Sequence, residues 1–189
     1  MSAAADPPRD PAGTSPSRDA AEASPLRGAA AVTAALEEGG VTLVASVPDT
    51  WIGSLMLALR RSRTVRIVDV VREEEAVAVA CGAALCGARA AVVVQNAGLL
   101  NCGAILASLV HLYEVPCFLL VSYRGDERDP VHYHVPKGQR TEPTLTAWSI
   151  RYARAAGPER IGAQIRQGVA WADTARAPFA LLFSAEDLA

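Results

Sequence analysis

The stretch VRIVDVVREEEAVAVACGAALC (residues 65–86) contains the strongest indication of the fold in this sequence. Its β-branched first part, Val65–Val71, predicts a strand. Three consecutive glutamates follow, and then a nearly uncharged, alanine-rich segment predicts a helix that runs to about Cys86. A strand that leads directly into acids at the start of a helix places negative charge at the edge of a sheet. In open α/β proteins, that edge carries the binding site.

The rest of the chain repeats this alternation of strands and helices. Further strands are predicted at Val41–Val47, Ala90–Val94, Cys117–Ser122 and Pro178–Ser184, and helices at Leu26–Glu38, Trp51–Arg61, about 101–113, Thr144–Ala156 and Pro158–Thr174. The strands are almost wholly apolar, which indicates that both faces of the sheet are covered. We therefore expect a three-layer α/β/α fold with a mostly parallel sheet, in a single domain over residues 26–189. Residues 1–25 lack apolar periodicity and are predicted to form a disordered tail.

Composition and net charge limit the classes of function that the chain is expected to have. The 189 residues carry a formal net charge of only −2, which gives no electrostatic reason to expect binding to nucleic acid or to an anionic membrane. The chain shows no bilayer-spanning apolar run and no secretory signal, so we expect a cytoplasmic protein. The four cysteines lie in apolar segments without paired spacing and are interpreted as small buried side chains rather than zinc ligands.

Polar residues are concentrated where the predicted strands end. These exits are Pro48-Asp49, Arg72-Glu73, Gln95-Asn96 and Ser122-Tyr123-Arg124. A carboxylate there would be partly desolvated and suited to proton exchange near neutral pH. Structural interpretations remain open: the glutamates suit a helix N-terminus, Asp49 suits an N-cap, and Arg124 suits an ion pair with Asp126. A long polar connection follows to about Pro143, and a connection of that length is typically functional or mobile. Phosphate-loop and nucleophile-elbow motifs are absent from the sequence.

The segment that begins at Glu73 resembles the pyrimidine-binding domain of thiamine-diphosphate enzymes. In that family a glutamate opens a helix, and a small-residue stretch ends in a glycine nine positions later, as at Gly82. Segments 46–50, 95–99 and 122–125 are similar to phosphonopyruvate decarboxylase and to the α subunit of sulfopyruvate decarboxylase. Segment 134–138 resembles the phosphonopyruvate branch. The resemblance covers roughly residues 27–183.

The resemblance implies a function and a set of site residues. The chain would be the α subunit of a thiamine-diphosphate-dependent decarboxylase of a 3-substituted pyruvate. The preferred substrate is phosphonopyruvate, which would give phosphonoacetaldehyde and CO2. Sulfopyruvate and a non-catalytic assembly or regulatory role are the alternatives. Glu73 would hydrogen-bond N1′ of the aminopyrimidine. The other implied roles are proton delivery or substrate contact for Asp49 and His134, cofactor binding for Pro48, Gln95, Asn96, Gly98 and Asn101, and substrate binding for Arg124 and Ser122.

The resemblance also implies a partner. Family enzymes bind the diphosphate and Mg²⁺ through a Gly-Asp-Gly segment, which this sequence lacks. We therefore expect a β subunit that carries the diphosphate domain and holds most of the Mg²⁺ contacts, with no metal ligand from this chain. The sequence departs from the family pattern at Ala97, Leu100 and Ala104, where related enzymes have serine, glycine and asparagine.

Overall fold

The computed structural model describes residues 18–188, which build one six-stranded sheet. Every strand pairs in parallel with its neighbours, and the order is β2-β1-β3-β4-β6-β5. The strands are β1 (Val41–Ser46), β2 (Arg66–Asp69), β3 (Arg89–Gln95), β4 (Cys117–Ser122), β5 (Arg151–Arg154) and β6 (Pro178–Phe183). The prediction of an α/β fold with a parallel sheet is confirmed.

Helices cover both faces of the sheet. They are α1 (Arg18–Glu38), α2 (Gly53–Leu59), α3 (Glu73–Leu85), α4 (Asn96–Leu99), α5 (Gly103–Ile105, continued by a π-helical turn over Leu106–His111), α6 (Val135–Ala147) and α7 (Pro158–Ala175). One apolar cluster joins α1, α2 and α7 to one face of the sheet, and a second joins α3, α5 and α6 to the other face. Alternate residues of β3 enter opposite clusters, because side chains on a strand point to alternate faces: Val93 packs in the first and Val92 in the second.

The region after β4 differs from its prediction. Residues Thr144–Ala156 do not form a helix: α6 already begins at Val135 and ends at Ala147, and β5 follows. The helix ends because Ser149 has a positive φ of 56°. β5 lies at the edge of the sheet, where its exposed arginines at both ends are well tolerated. A charged edge strand lacks the apolar run by which the inner strands are recognised.

Two smaller expectations also change. α1 begins at Arg18, so the backbone of residues 18–25 is helical, although these residues were predicted to belong to a disordered tail. Residues 1–17, the rest of the predicted tail, lie outside the described part of the chain. Cys86 is exposed, whereas Cys81, Cys102 and Cys117 are buried as expected. No helix within residues 18–188 combines the length and apolar character needed to cross a bilayer.

Two helical glycines test how tightly the helices pack. A Cβ added at Gly168 on α7 would lie 2.6 Å from the ring of Phe118 and 2.9 Å from that of Phe179, whereas a Cβ at Gly82 on α3 would meet nothing within 4 Å. We expect Gly168→Ala to lower the free energy of unfolding by about 1–3 kcal/mol through overpacking. Gly82→Ala should raise it by up to about 1 kcal/mol, because alanine favours a helix interior. Chemical denaturation of the two variants measures both effects, and equal shifts would contradict this packing.

Candidate active site

The carboxyl ends of three neighbouring strands meet at one edge of the sheet. β1 lies between β2 and β3, so the chain leaves β1 in one direction and returns on its other side. This reversal of strand order opens a crevice at the carboxyl edge, which is where ligands bind in open α/β sheets. Asp49 follows β1, Gln95 ends β3, and Ser122 ends β4.

The carboxylate of Asp49 joins these strand ends. Its Oδ2 accepts a hydrogen bond from the hydroxyl of Ser122 at 2.9 Å, and its Oδ1 accepts one from the amide of Gln95 at 3.2 Å. Asp49 Oδ1 also lies 2.5 Å from a guanidinium nitrogen of Arg124. Asp49 does occupy the N-cap position of the turn Thr50–Ile52, as one interpretation expected, but its side chain makes no capping hydrogen bond to a backbone N–H there.

Arg124 is a buried cation rather than a loop arginine. Its side chain is 8% exposed and pairs with Asp49, not with Asp126 as one interpretation expected. The guanidinium also donates to the Thr50 hydroxyl at 2.6 Å and lies 4.3 Å from the centre of the Trp51 ring. Its Nε is buried and has no hydrogen-bond partner among the described residues. The Nε–H of Arg124 is therefore a buried donor that the described protein does not satisfy.

Asn96 links the end of β3 to the segment that follows β4. The side chain is fully buried. Its amide donates to the carbonyl of Arg124 and to the hydroxyl of Thr141, both at 2.9 Å, and its oxygen accepts from the N–H of Arg124 at 3.3 Å. Both amide protons are therefore occupied within the chain. These contacts give Asn96 a structural role, whereas cofactor binding by its side chain stays a prediction.

The three glutamates at the start of α3 have three different environments. Glu75 accepts hydrogen bonds from the backbone N–H groups of Val71 and Arg72 and so caps the helix. Glu74 pairs with the exposed Arg72 at 2.7 Å. Glu73 is half-buried and lies against Gly98, where an added Cβ would overlap its carboxyl group. Helix capping therefore accounts for Glu75 but not for Glu73.

Gly98 makes the position of Glu73 possible. It belongs to α4, directly after β3, and is buried. Any larger residue there would displace the carboxyl group, because a side chain needs the volume that Glu73 occupies. Within the described residues, no lysine, arginine or histidine nitrogen lies within 4.0 Å of the Glu73 carboxylate. A half-buried carboxylate at a sheet edge, without an ionic partner, is available to a ligand.

His134 lies in a separate network beside this edge. Its Nδ1 is 2.6 Å from Asp129 Oδ2, and both side chains are buried. Burial of the Asp129 carboxyl group favours its neutral form. Hydrogen bonds from the backbone N–H groups of Val131 and Gly125, and from the His134 ring, outweigh that effect and lower the pKa of Asp129. A charged Asp129 fixes the orientation of the imidazole, as carboxylates do in catalytic His–Asp pairs.

Two other residues predicted to bind the cofactor lie outside these hydrogen-bond networks. Pro48 and Asn101 are exposed, and neither side chain joins the network around Asp49. In the part of the chain that the structure describes, no group of three or more His, Cys, Asp or Glu residues is placed to hold a metal ion.

Comparison with known proteins identifies the domain. The family model for the thiamine pyrophosphate enzyme N-terminal TPP-binding domain matches residues 26–138. The chain belongs to this family. The match includes the Glu73–Gly98 contact and the network around Asp49, so the features of the sheet edge lie within the TPP-binding domain.

Curated relatives of this domain fall into two groups. The chain is 31% identical over 155 residues to the sulfopyruvate decarboxylase subunit alpha of Methanococcus maripaludis, with 82% of this chain and 93% of the relative covered. For the subunit from Methanothermobacter thermautotrophicus the identity is 34%, with 68% and 78% covered. Phosphonopyruvate decarboxylase of Streptomyces hygroscopicus is 36% identical over 104 residues, which are 54% of this chain and 26% of that protein.

A solved structure supports the fold. The 2-oxoglutarate:ferredoxin oxidoreductase from Magnetococcus marinus, solved with 2-oxoglutarate, coenzyme A and succinyl-CoA bound, superimposes with a TM-score of 0.68 at 17% identity. The match covers 85% of this chain but only 29% of that one. At this identity the likeness establishes the arrangement of helices and strands.

Some of the side chains that meet at this edge were expected from the sequence, and others were not. Asp49, Gln95, Ser122 and Arg124 were expected at the edge and do meet there. Asp129, Thr141 and Lys137 were not singled out, because they belong to the polar segment that showed no periodicity. Lys137 lies in the first turn of α6, with its Nζ 3.4 Å from Gln95 Oε1. The uniqueness of that lysine in the sequence was the available signal.

The buried pair of Asp129 and His134 should make the free energy of unfolding depend on pH. The lowered pKa of Asp129 means that its contribution is present above the unfolded-state pKa of about 3.9 and is lost as pH falls through the folded value. Asp129→Asn should lower the free energy of unfolding at pH 7 by about 1–3 kcal/mol. The difference from wild type should begin to shrink near pH 4, where Asp129 of the unfolded chain starts to bind a proton, and should be smallest below the lowered folded-state pKa.

Denaturation curves at pH 7 and at the lowest pH that keeps the protein folded measure this difference. Asp173→Asn is the control, because Asp173 forms an exposed ion pair with Arg89 and should change stability by less than about 1 kcal/mol. A loss from Asp129→Asn that stayed constant with pH would contradict a charged Asp129.

Proposed function

We propose that this chain is the α subunit of a thiamine-diphosphate-dependent decarboxylase that acts on a pyruvate carrying an anionic group at carbon 3. Family membership and the decarboxylase relatives support the cofactor and the reaction class. The observation that carries the proposal is the half-buried carboxylate of Glu73, which lies against Gly98 at the carboxyl edge of the sheet and has no ionic partner there.

Sulfopyruvate is the first candidate substrate. The sequence motifs alone favoured phosphonopyruvate, and the identity over the shared region is indeed slightly higher for that enzyme. However, the chain spans 93% of a sulfopyruvate decarboxylase α subunit and only 26% of a phosphonopyruvate decarboxylase. This coverage of nearly whole α subunits supports sulfopyruvate as the first candidate. Phosphonopyruvate is the second candidate, because both acids present a compact anion on the same carbon.

The described residues fit a bound aminopyrimidine. Gly98 gives the Glu73 carboxyl group the volume that it occupies against α4, and the carboxylate has no ionic partner among the described residues. Glu73 would hold a proton between its carboxylate and N1′ of the ring. When bound, thiamine diphosphate supplies the cationic ring that accepts the electron pair as CO2 leaves. The chain contributes the geometry and the proton placement on which that chemistry depends.

The polar groups around Asp49 and His134 are suited to orientation and proton delivery. The Asp49 carboxylate is fixed by three donors on two other strand ends, so it has little freedom to reorient. His134 is oriented through Nδ1 by Asp129, which directs Nε2 as the nitrogen available for proton transfer. We assign Asp49 to positioning of the substrate pocket and His134 to proton delivery.

The proposal requires a second polypeptide. The chain has no Gly-Asp-Gly segment to bind the diphosphate with Mg²⁺, and relatives of similar length are named as alpha subunits. A β subunit would supply the diphosphate domain and the Mg²⁺ contacts. The cofactor would then lie between the two chains, with its pyrimidine ring at the edge that contains Glu73.

Replacing the Glu73 carboxylate tests the proposal. In the complex reconstituted with the β subunit, thiamine diphosphate and Mg²⁺, we expect Glu73→Gln to reduce CO2 release from sulfopyruvate by at least about 10²-fold, the range for loss of a proton-transfer group. The glutamine preserves the shape of the side chain, so gel filtration should show an intact complex.

Glu74→Gln is the matched control, because Glu74 pairs only with the exposed Arg72 and should retain activity within a few-fold. Gly98→Ala provides an independent route, since its methyl group would displace Glu73 and should impair activity without altering any polar group. Wild-type activity in Glu73→Gln would show that this carboxylate has no role in the reaction.

A non-catalytic assembly or regulatory subunit is the second candidate. The residues Ala97, Leu100 and Ala104 favour it, because they replace the serine, glycine and asparagine of the family pattern in the segment from Gln95 to Ala104. Under this alternative, the wild-type complex would release no CO2 from sulfopyruvate or phosphonopyruvate at any thiamine diphosphate concentration.

A further inference from the structure

Lys137 is chemically unusual within this sequence. The chain has 18 lysine and arginine residues, and Lys137 is the only lysine. Arginine thus supplies every other side-chain cation, on the surface and in buried ion pairs alike. A lysine differs from arginine in presenting a compact ammonium with three donors on a flexible stem. The single exception indicates a position where that geometry is needed.

Lys137 lies at the same edge of the sheet as Glu73 and Asp49. It occupies the first turn of α6 and is half-buried. Its Nζ donates to Gln95 Oε1 at 3.4 Å, and the amide nitrogen of Gln95 donates to Asp49 Oδ1 at 3.2 Å. The ammonium therefore belongs to the polar network at the ends of β1, β3 and β4. The positive end of the α6 dipole adds to the positive potential there, which favours a bound anion.

The charges of this network leave Lys137 uncompensated. Arg124 is neutralised by Asp49 at 2.5 Å, and both side chains are about one-tenth exposed. Lys137 has no carboxylate within 4.0 Å among residues whose side chains the structure describes. The network of Asp49, Arg124 and Lys137 thus carries one net positive charge. In addition, the buried Arg124 Nε has no partner, which leaves an N–H donor beside the same network.

We propose that Lys137, rather than Arg124, binds the anionic group on carbon 3 of the substrate. This inference rests on the proposed function and assigns its substrate specificity to one side chain. One ammonium donor is used by Gln95, and two remain for the oxygens of a sulfonate or phosphonate. Arg124 is a positioning residue in this arrangement, because its charge is used to hold Asp49.

Isotope labelling of the single lysine tests the contact without any turnover. Reductive methylation of the full chain with ¹³C-formaldehyde labels only Lys137 and the N-terminal amine, and Lys137→Arg identifies the lysine signal. We expect 3-sulfopropanoate to shift this signal in the complex with the β subunit. Propanoate at matched ionic strength should leave it in place. Equal shifts with both acids, or no shift with either, would overturn the assignment.

Steady-state kinetics of the reconstituted complex provide a second test of the role of Lys137. Lys137→Met should raise KM for sulfopyruvate by roughly 10- to 100-fold, the range for one lost hydrogen bond to a charged group, with a smaller change in kcat. Arg140→Met is the matched control, because it removes an exposed cation from the same helix and should change KM by less than about threefold. Thermal unfolding of each variant verifies that the fold is retained.

The two tests separate this inference from the proposed function. An unchanged KM in Lys137→Met, in an active complex, would overturn the role of Lys137 while the decarboxylase activity stood. A wild-type complex that is inactive on both oxo acids would overturn the proposed function, and the labelling experiment would still decide whether Lys137 contacts the anion.

Discussion

The carboxylate of Asp49 is the interaction on which this edge of the protein depends. It is almost buried and receives hydrogen bonds from Ser122, Gln95 and Arg124, which follow two other strands of the sheet. A buried carboxylate without such partners would cost several kcal/mol, so the surrounding donors must stay in place while it is ionised. This requirement fixes the relative positions of the loops that follow β1, β3 and β4, and thereby the floor of the crevice.

A division of roles among adjacent acids follows from that fixed edge. Glu75 satisfies the start of α3, and Glu74 forms an exposed ion pair, so neither is free to act on a ligand. Glu73 alone turns towards α4, where Gly98 provides the space for its carboxyl group. Three identical residues in a row therefore have three different environments because a helix places consecutive side chains about 100° apart.

The sequence predicted the parts of the fold that depend on local pattern. Cys117–Ser122 was assigned with its observed bounds because an unbroken apolar run has few other interpretations. The edge strand Arg151–Arg154 was missed because its charged ends resemble an exposed helix. Spacing to Gly82 selected Glu73 among the acids, but Lys137 and Asp129 could not be placed. The position of Lys137 depends on α6 and on a contact with Gln95, about 40 residues earlier in the chain. The position of Asp129 depends on a loop without periodicity, where it meets His134.

Glu73 and the network around Asp49 lie at one edge of the sheet, with the pair of Asp129 and His134 beside it. The sequence contains no Gly-Asp-Gly segment. We expect the Glu73 carboxylate to meet the aminopyrimidine of thiamine diphosphate when the second subunit is present. A crystal structure of the complex with that cofactor should show Glu73 within about 2.7–3.0 Å of N1′, with the ring beside Gly98. A ring bound elsewhere, with Glu73 paired to a cation of the partner subunit, would disprove this role.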